Sequence, residues 1–60
     1  MPSVFIYTDA GKTIEQKRGL VKDMTDAVCN NFNVPPKAVS VHIIEGKKEN
    51  RANAGKLASD

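Results

Sequence analysis

Sixty residues with a single cysteine and a single histidine make a chain that has no internal staple. A domain of this size buries only about 60% of the surface of its unfolded chain. Small folds make up the shortfall with disulfides, a structural metal or association with other chains. Cys29 has no second thiol to pair with, and Cys29 with His42 falls short of the four ligands of a structural zinc site. Oligomerisation is the remedy that remains.

Charge and apolar patterning exclude other classes. Nine Lys and Arg against seven Asp and Glu leave a net charge of +2, too mild to argue for nucleic acid as a partner. The aromatics Phe5, Tyr7 and Phe32 do not interleave with a basic patch, so stacking on bases has little support. No apolar run approaches the roughly 18 residues of a membrane span, and no signal-peptide pattern opens the chain. A lone free thiol suits a reducing compartment. These features predict a soluble, cytoplasmic protein.

Val4 to Thr8, rich in β-branched and aromatic residues, predicts a strand. Asp9-Ala10-Gly11-Lys12 predicts a turn, and Thr13-Ile14-Glu15-Gln16 fits a capping box at a helix start. From Ile14 to about Phe32, the residues Ile14, Leu20, Val21, Met24, Ala27, Val28 and Phe32 share one helical arc, which assigns Met24 and Phe32 to core packing. Lys17 falls inside that arc and is expected to lay its stem on apolar surface with its ammonium in water. Asn33-Val34-Pro35-Pro36 stops the helix.

Val39 to Glu45 predicts a second strand, with Val39, Val41 and Ile43 on one face and Ser40, His42 and Ile44 on the other. Gly46 to Asp60 is polar, and no regular element is expected there, only a tail able to fold over a neighbour. The order strand, helix, strand predicts a single α+β domain over residues 1–60: a β-α-β unit with parallel strands and a right-handed crossover. Its helix covers one sheet face. The other face and both edges stay open, so the sheet is completed by oligomerisation.

Pro2 is the residue with chemistry to offer. With Met1 removed, its nitrogen becomes a free, rigid secondary amine; with Met1 present, it is an inert amide. An α-amino group titrates at about 7.7–8.0, and a low-dielectric pocket or nearby cations move it toward neutrality, where a general base works best. The plainer reading is a small residue that permits removal of methionine.

Pro2, Gly11-Lys12, Glu15-Gln16-Lys17, the strand Val39 to Glu45 and Ala54-Gly55-Lys56-Leu57 stand in an order and spacing that resembles the 4-oxalocrotonate tautomerase family along essentially the whole chain. The resemblance implies a cofactor-free isomerase that packs as a homohexamer. It implies keto–enol tautomerisation of 2-hydroxy-dienoate or 2-oxo acid substrates, with Pro2 as general base and a small carboxylate as ligand. It also implies cations for the substrate carboxylate and the developing enolate. Where well-known members carry an arginine after the first-turn glycine, this chain has Lys12, which keeps the charge but loses the bidentate fork. Where they carry a second arginine at the start of the second strand, this chain has Ser40, able to donate one hydrogen bond. Arg51 falls near a position usually occupied by an aromatic pocket wall. It is a candidate for the missing cation, against the plainer reading of a solvated charge like Lys47 and Lys48. Ser3 stands where an apolar residue is more usual.

The candidate site is therefore Pro2, Lys12, Ser40 and Arg51, with no metal. His42 is expected at an interface or on the surface, Tyr7 in packing, and Cys29 away from any activating base. Two alternatives stand beside the tautomerase: a related hydratase, dehalogenase or decarboxylase drawing on Glu45 or Glu49, and a non-catalytic oligomeric module, favoured by the absence of charge at Ser40.

Overall fold

The computed structural model describes all 60 residues. Strand β1 spans Ser3–Asp9, helix α1 Ile14–Phe32 and strand β2 Ser40–Gly46. A short β3 (Ala52–Asn53) and β4 (Lys56–Leu57) follow. β1 and β2 pair in parallel from Ser3 opposite Ser40 to Asp9 opposite Gly46. The 19-residue helix is about 28 Å long, enough to bring the chain back past two strands of about 20 Å each.

The helix begins where local chemistry dictates. The Gln16 N–H donates to Thr13 Oγ1 at 3.1 Å, and the Thr13 N–H donates to Gln16 Oε1 at 2.9 Å, a reciprocal capping box. At the other end Asn33 takes the left-handed conformation (φ 56°) and donates its N–H to Cys29 O at 3.0 Å. Pro36–Ala38 form a single 3₁₀ turn before β2. Gly11, at φ +108°, occupies the turn between β1 and α1, a conformation that L side chains rarely adopt.

Alternation along the strands divides the sheet into two unlike faces. Val4, Ile6, Val41 and Ile43 are half-buried, and Val4 sits opposite Val41 and Ile6 opposite Ile43. Phe5, Tyr7, His42 and Ile44 are exposed on the other face, where Phe5 lies opposite His42 and Tyr7 opposite Ile44. Phe5 and His42 stack with ring centroids 4.8 Å apart.

No residue of the chain is buried. The subunit exposes 4838 Å², whereas a compact monomer of this mass exposes about 3,800 Å². Its radius of gyration is 14.6 Å, and it is a slab of 43 × 24 × 13 Å, where 60 compact residues give about 10 Å. Phe32, assigned from the helical wheel to core packing, is 66% exposed, and Ile14, on the same apolar arc, is 60% exposed. They sit at the two ends of α1, beyond what a two-stranded sheet can cover. Tyr7, expected in packing, is 79% exposed because it lies on the sheet face that α1 does not cover.

The C-terminal segment departs from expectation. Lys48–Asn50 form a 3₁₀ turn, and β3 and β4 make an antiparallel hairpin, with Ala52 opposite Leu57 and Asn53 opposite Lys56. Both central residues of its turn have positive φ, Ala54 at 53° and Gly55 at 82°, the geometry of a type I′ hairpin turn. Two-residue strands leave no periodicity to read, and alanine at the first turn position hides the Asn-Gly or Asp-Gly signature.

Removal of the cap tests the account of the helix start. Thr13→Ala is expected to lower stability by about 1 kcal/mol, read as a lower urea midpoint at fixed protein concentration with an unchanged transition slope.

Candidate functional site

The four candidate residues fall at opposite ends of the sheet. Pro2 and Ser40 lie together at the start of the two strands. The Ser40 N–H donates to Pro2 O at 3.1 Å, and Ser40 Oγ and Ser3 Oγ are 3.0 Å apart. Pro2 is half-buried, while Met1 before it is 93% exposed. The serine at position 3, unusual in the resemblance, is thus tied to the serine at position 40.

Lys12 and Arg51 lie at the other end, beyond the seven residues of β1. At about 3.3 Å per residue the two pairs are separated by about 20 Å. One subunit therefore does not bring Pro2 to either cation.

The two cations also occupy different faces. Lys12 lines a cleft on the helix side with Ile6, Thr8, Gln16, Leu20 and Ile43. Arg51 lines a groove of about 390 Å³ with Tyr7, Asp9, Ile44, Lys47 and Asn50, which belong to the open face and the turn after β2. The end of β1 separates them, with Thr8 reaching both.

Arg51 is held firmly for a residue so near the C-terminus. Its N–H donates to Lys48 O at 3.3 Å and its carbonyl accepts from the Ala58 N–H at 2.7 Å. Its Nη2 meets Asp9 Oδ2 at 3.1 Å. Asp9 was legible only as a turn residue. Its partner lies 42 positions away, and no local spacing announces such a pair. Lys12, by contrast, forms no ion pair.

Lys17 is not left with its ammonium in water. Its Nζ donates to Glu45 Oε1 at 2.7 Å, with side chains only 28% and 31% exposed, linking α1 to β2. The hydrogen bond from Lys17 lowers the Glu45 carboxyl below its usual range. Partial burial opposes this, and the Lys17 charge and the Gly11 N–H add to the lowering. On the solvent side of α1, the hydrogen bond to Asp26 and the Asp26 charge raise Lys22 above its ordinary value. His42 rests on Phe5, Cys29 is a half-buried free thiol, and no cluster of three or more His, Cys, Asp or Glu side chains converges anywhere. No helix is long and apolar enough to cross a membrane.

A whole-chain fold with this division of residues has close counterparts. The family model described as tautomerase enzyme matches residues 2–60. The chain belongs to the tautomerase family. It is 40% identical over 60 residues to a 2-hydroxymuconate tautomerase of Bacillus subtilis, covering all of this chain and 97% of that protein. It is 42% identical to a probable tautomerase of Lactiplantibacillus plantarum, covering all of this chain and 94% of the relative. Among solved structures, YwhB, a homologue of 4-oxalocrotonate tautomerase, superposes with a TM-score of 0.94 at 39% identity, over 98% of this chain and 97% of that one. A heterohexamer 4-oxalocrotonate tautomerase from Chloroflexus aurantiacus superposes with a TM-score of 0.92 at 25% identity, over 100% and 97%. The tautomerase fold and an isomerase of this family are thereby established for the chain.

The Lys17–Glu45 pair carries a pH signature. Because the folded-state carboxyl titrates lower than the unfolded one, its stabilisation is complete above the ordinary carboxylate range. It is lost as pH falls through the lowered value. Melting temperatures measured across the acid range are expected to fall less steeply in Glu45→Gln than in the parent.

Proposed function

We propose that the protein is a cofactor-independent keto–enol tautomerase of 2-hydroxy-dienoate or 2-oxo acid substrates, with the amino group of Pro2 as the general base after removal of Met1. The observation that carries the reading is a family match that begins at Pro2 and runs to Asp60. Met1 is 93% exposed, so its loss costs no packing, and the Ser40 N–H to Pro2 O bond that fixes the strand end is independent of it.

In this reading Pro2 takes the proton from the substrate's enol oxygen and returns it to a carbon further along the conjugated system. The five-membered ring holds the nitrogen in one orientation, so little freedom is lost in aligning it. Lys12 supplies charge to the substrate carboxylate, Arg51 borders the site from a neighbouring subunit, and Ser40 contributes one hydrogen bond. The roughly 20 Å between Pro2 and the cations within one chain supports a site assembled from more than one subunit. The exposed apolar face of Phe5, Tyr7 and Ile44 supports the same assembly, and a homohexamer is the form proposed. A small carboxylate is the only ligand the reading requires, with neither nucleic acid nor membrane as partner, in the cytoplasm.

A hydratase or decarboxylase would call on Glu45 or Glu49, but Lys17 holds the first and Lys47 lies 3.8 Å from the second. A non-catalytic module would draw on the uncharged Ser40 and the internal partner of Arg51, but the family match and the tautomerase relatives favour the enzyme. Activity decides between them.

Tautomerisation of phenylenolpyruvate, followed by ultraviolet absorbance, is expected to fall at least about 100-fold in kcat/KM in Pro2→Ala, and intact mass is expected to show Met1 absent. Lys12→Ala is expected to act mainly by raising KM. Equal background rates in parent and Pro2→Ala, or a retained Met1, refute the base assignment. Sedimentation is expected to give a hexamer of 6.5 kDa subunits; a monomer refutes the composite site.

A further inference from the structure

We propose that Asp9 is a specificity-determining residue: by neutralising Arg51, it tunes the site to substrates bearing one carboxylate and against dicarboxylates. The inference rests on the tautomerase reading and deepens it.

The charged groups around Arg51 hold fixed positions. Asp9 ends β1 and is paired in register with Gly46, and the next residue's N–H donates to Gly46 O at 3.3 Å. Arg51 is pinned through its own backbone bonds to Lys48 and Ala58. The pair they form, Nη2 to Oδ2 at 3.1 Å, therefore joins two anchored segments rather than two loose ends. Both side chains border the open groove with Tyr7, Ile44 and Lys47. Lys47 in turn has Glu49 at 3.8 Å. Of the cations that line the two clefts at this end of the sheet, Lys12, Lys17, Lys47 and Arg51, only Lys12 has no carboxylate partner. Ser40, at the opposite end, brings none.

Whichever subunit's pocket Arg51 reaches, it arrives with Asp9 attached, because both belong to the same chain. One uncompensated ammonium matches one carboxylate. A second substrate carboxylate must either displace Asp9 from Arg51 or lie beside it as a like charge.

Asp9 acts through Arg51, so the test separates binding from turnover. Parent, Asp9→Asn, Asp9→Glu and Asp9→Asn/Arg51→Ala proteins are assayed with phenylenolpyruvate, which has one carboxylate, and 2-hydroxymuconate, which has two. The parent is expected to favour the monocarboxylate. Releasing the guanidinium in Asp9→Asn is expected to raise the dicarboxylate-to-monocarboxylate ratio of kcat/KM about tenfold, through KM of the dicarboxylate. Asp9→Glu is expected to keep the parental ratio, and the double variant to lose the gain.

A parent that prefers the dicarboxylate overturns the proposal. So does an unchanged ratio in Asp9→Asn, or an equal gain in the double variant, while Pro2-dependent activity on the monocarboxylate would leave the tautomerase reading standing. A parent inactive on both substrates with Pro2 at its N-terminus overturns the reading and this inference together. Asp9→Glu and a sedimentation profile of each variant distinguish loss of the ion pair from loss of the assembly.

Discussion

Everything in this structure depends on a sheet covered on one side only. Two strands and one helix bring Val4, Ile6, Val41 and Ile43 under α1 and leave Phe5, Tyr7, His42 and Ile44 in the open. The chain carries about 1,000 Å² of surface beyond that of a compact monomer of the same mass. Sixty residues cannot build a second layer on the bare face, and the chain has no disulfide to substitute for one. In the proposed assembly, the demand for other subunits is a consequence of length before it is a property of any side chain.

The same geometry governs the chemistry. Parallel strands put their starts at one end and their finishes at the other, so Pro2 and Ser40 share one end while Asp9, Lys12 and Arg51 share the opposite one. A base and its electrostatic partners separated by the length of a strand serve one substrate only if a neighbouring copy is placed end to end or side by side. Association and catalysis become a single requirement in this reading. The ion pairs divide along the same line. Lys17 and Glu45 tie helix to sheet from partly sheltered positions, a structural role. Asp9 and Arg51 tie the end of β1 to the C-terminal hairpin and border the open groove.

Much of the fold was legible in the residues. The capping box at Thr13 and Gln16, the helix through Phe32, the stop at Asn33 before the two prolines, and the alternation of both strands are local signals with a period or a hydrogen-bond pattern to detect. Phe32 is exposed rather than packed because the helical wheel reports which face of α1 is apolar, not how far the sheet beneath it extends. The hairpin Ala52–Leu57 was missed because two-residue strands have no period, and because Ala54 accepts a left-handed conformation where asparagine or glycine would have signalled the turn. Lys17 was placed with the correct stem and the wrong destination, since Glu45 is 28 positions away.

Composition and order by themselves determined the β-α-β unit, the absence of an internal staple and the residues with chemistry to offer, because these follow from periodicity, from chain length and from the nature of Pro2, Lys12, Ser40 and Arg51. Tertiary structure alone decided which of them meet. It set Ser40 beside Pro2, carried both cations to the far end of the sheet on opposite faces, and gave Arg51 to Asp9. Those outcomes depend on strand register and on the segment after β2 that sets Arg51 against Asp9, contacts between residues about 40 positions apart that no local pattern encodes.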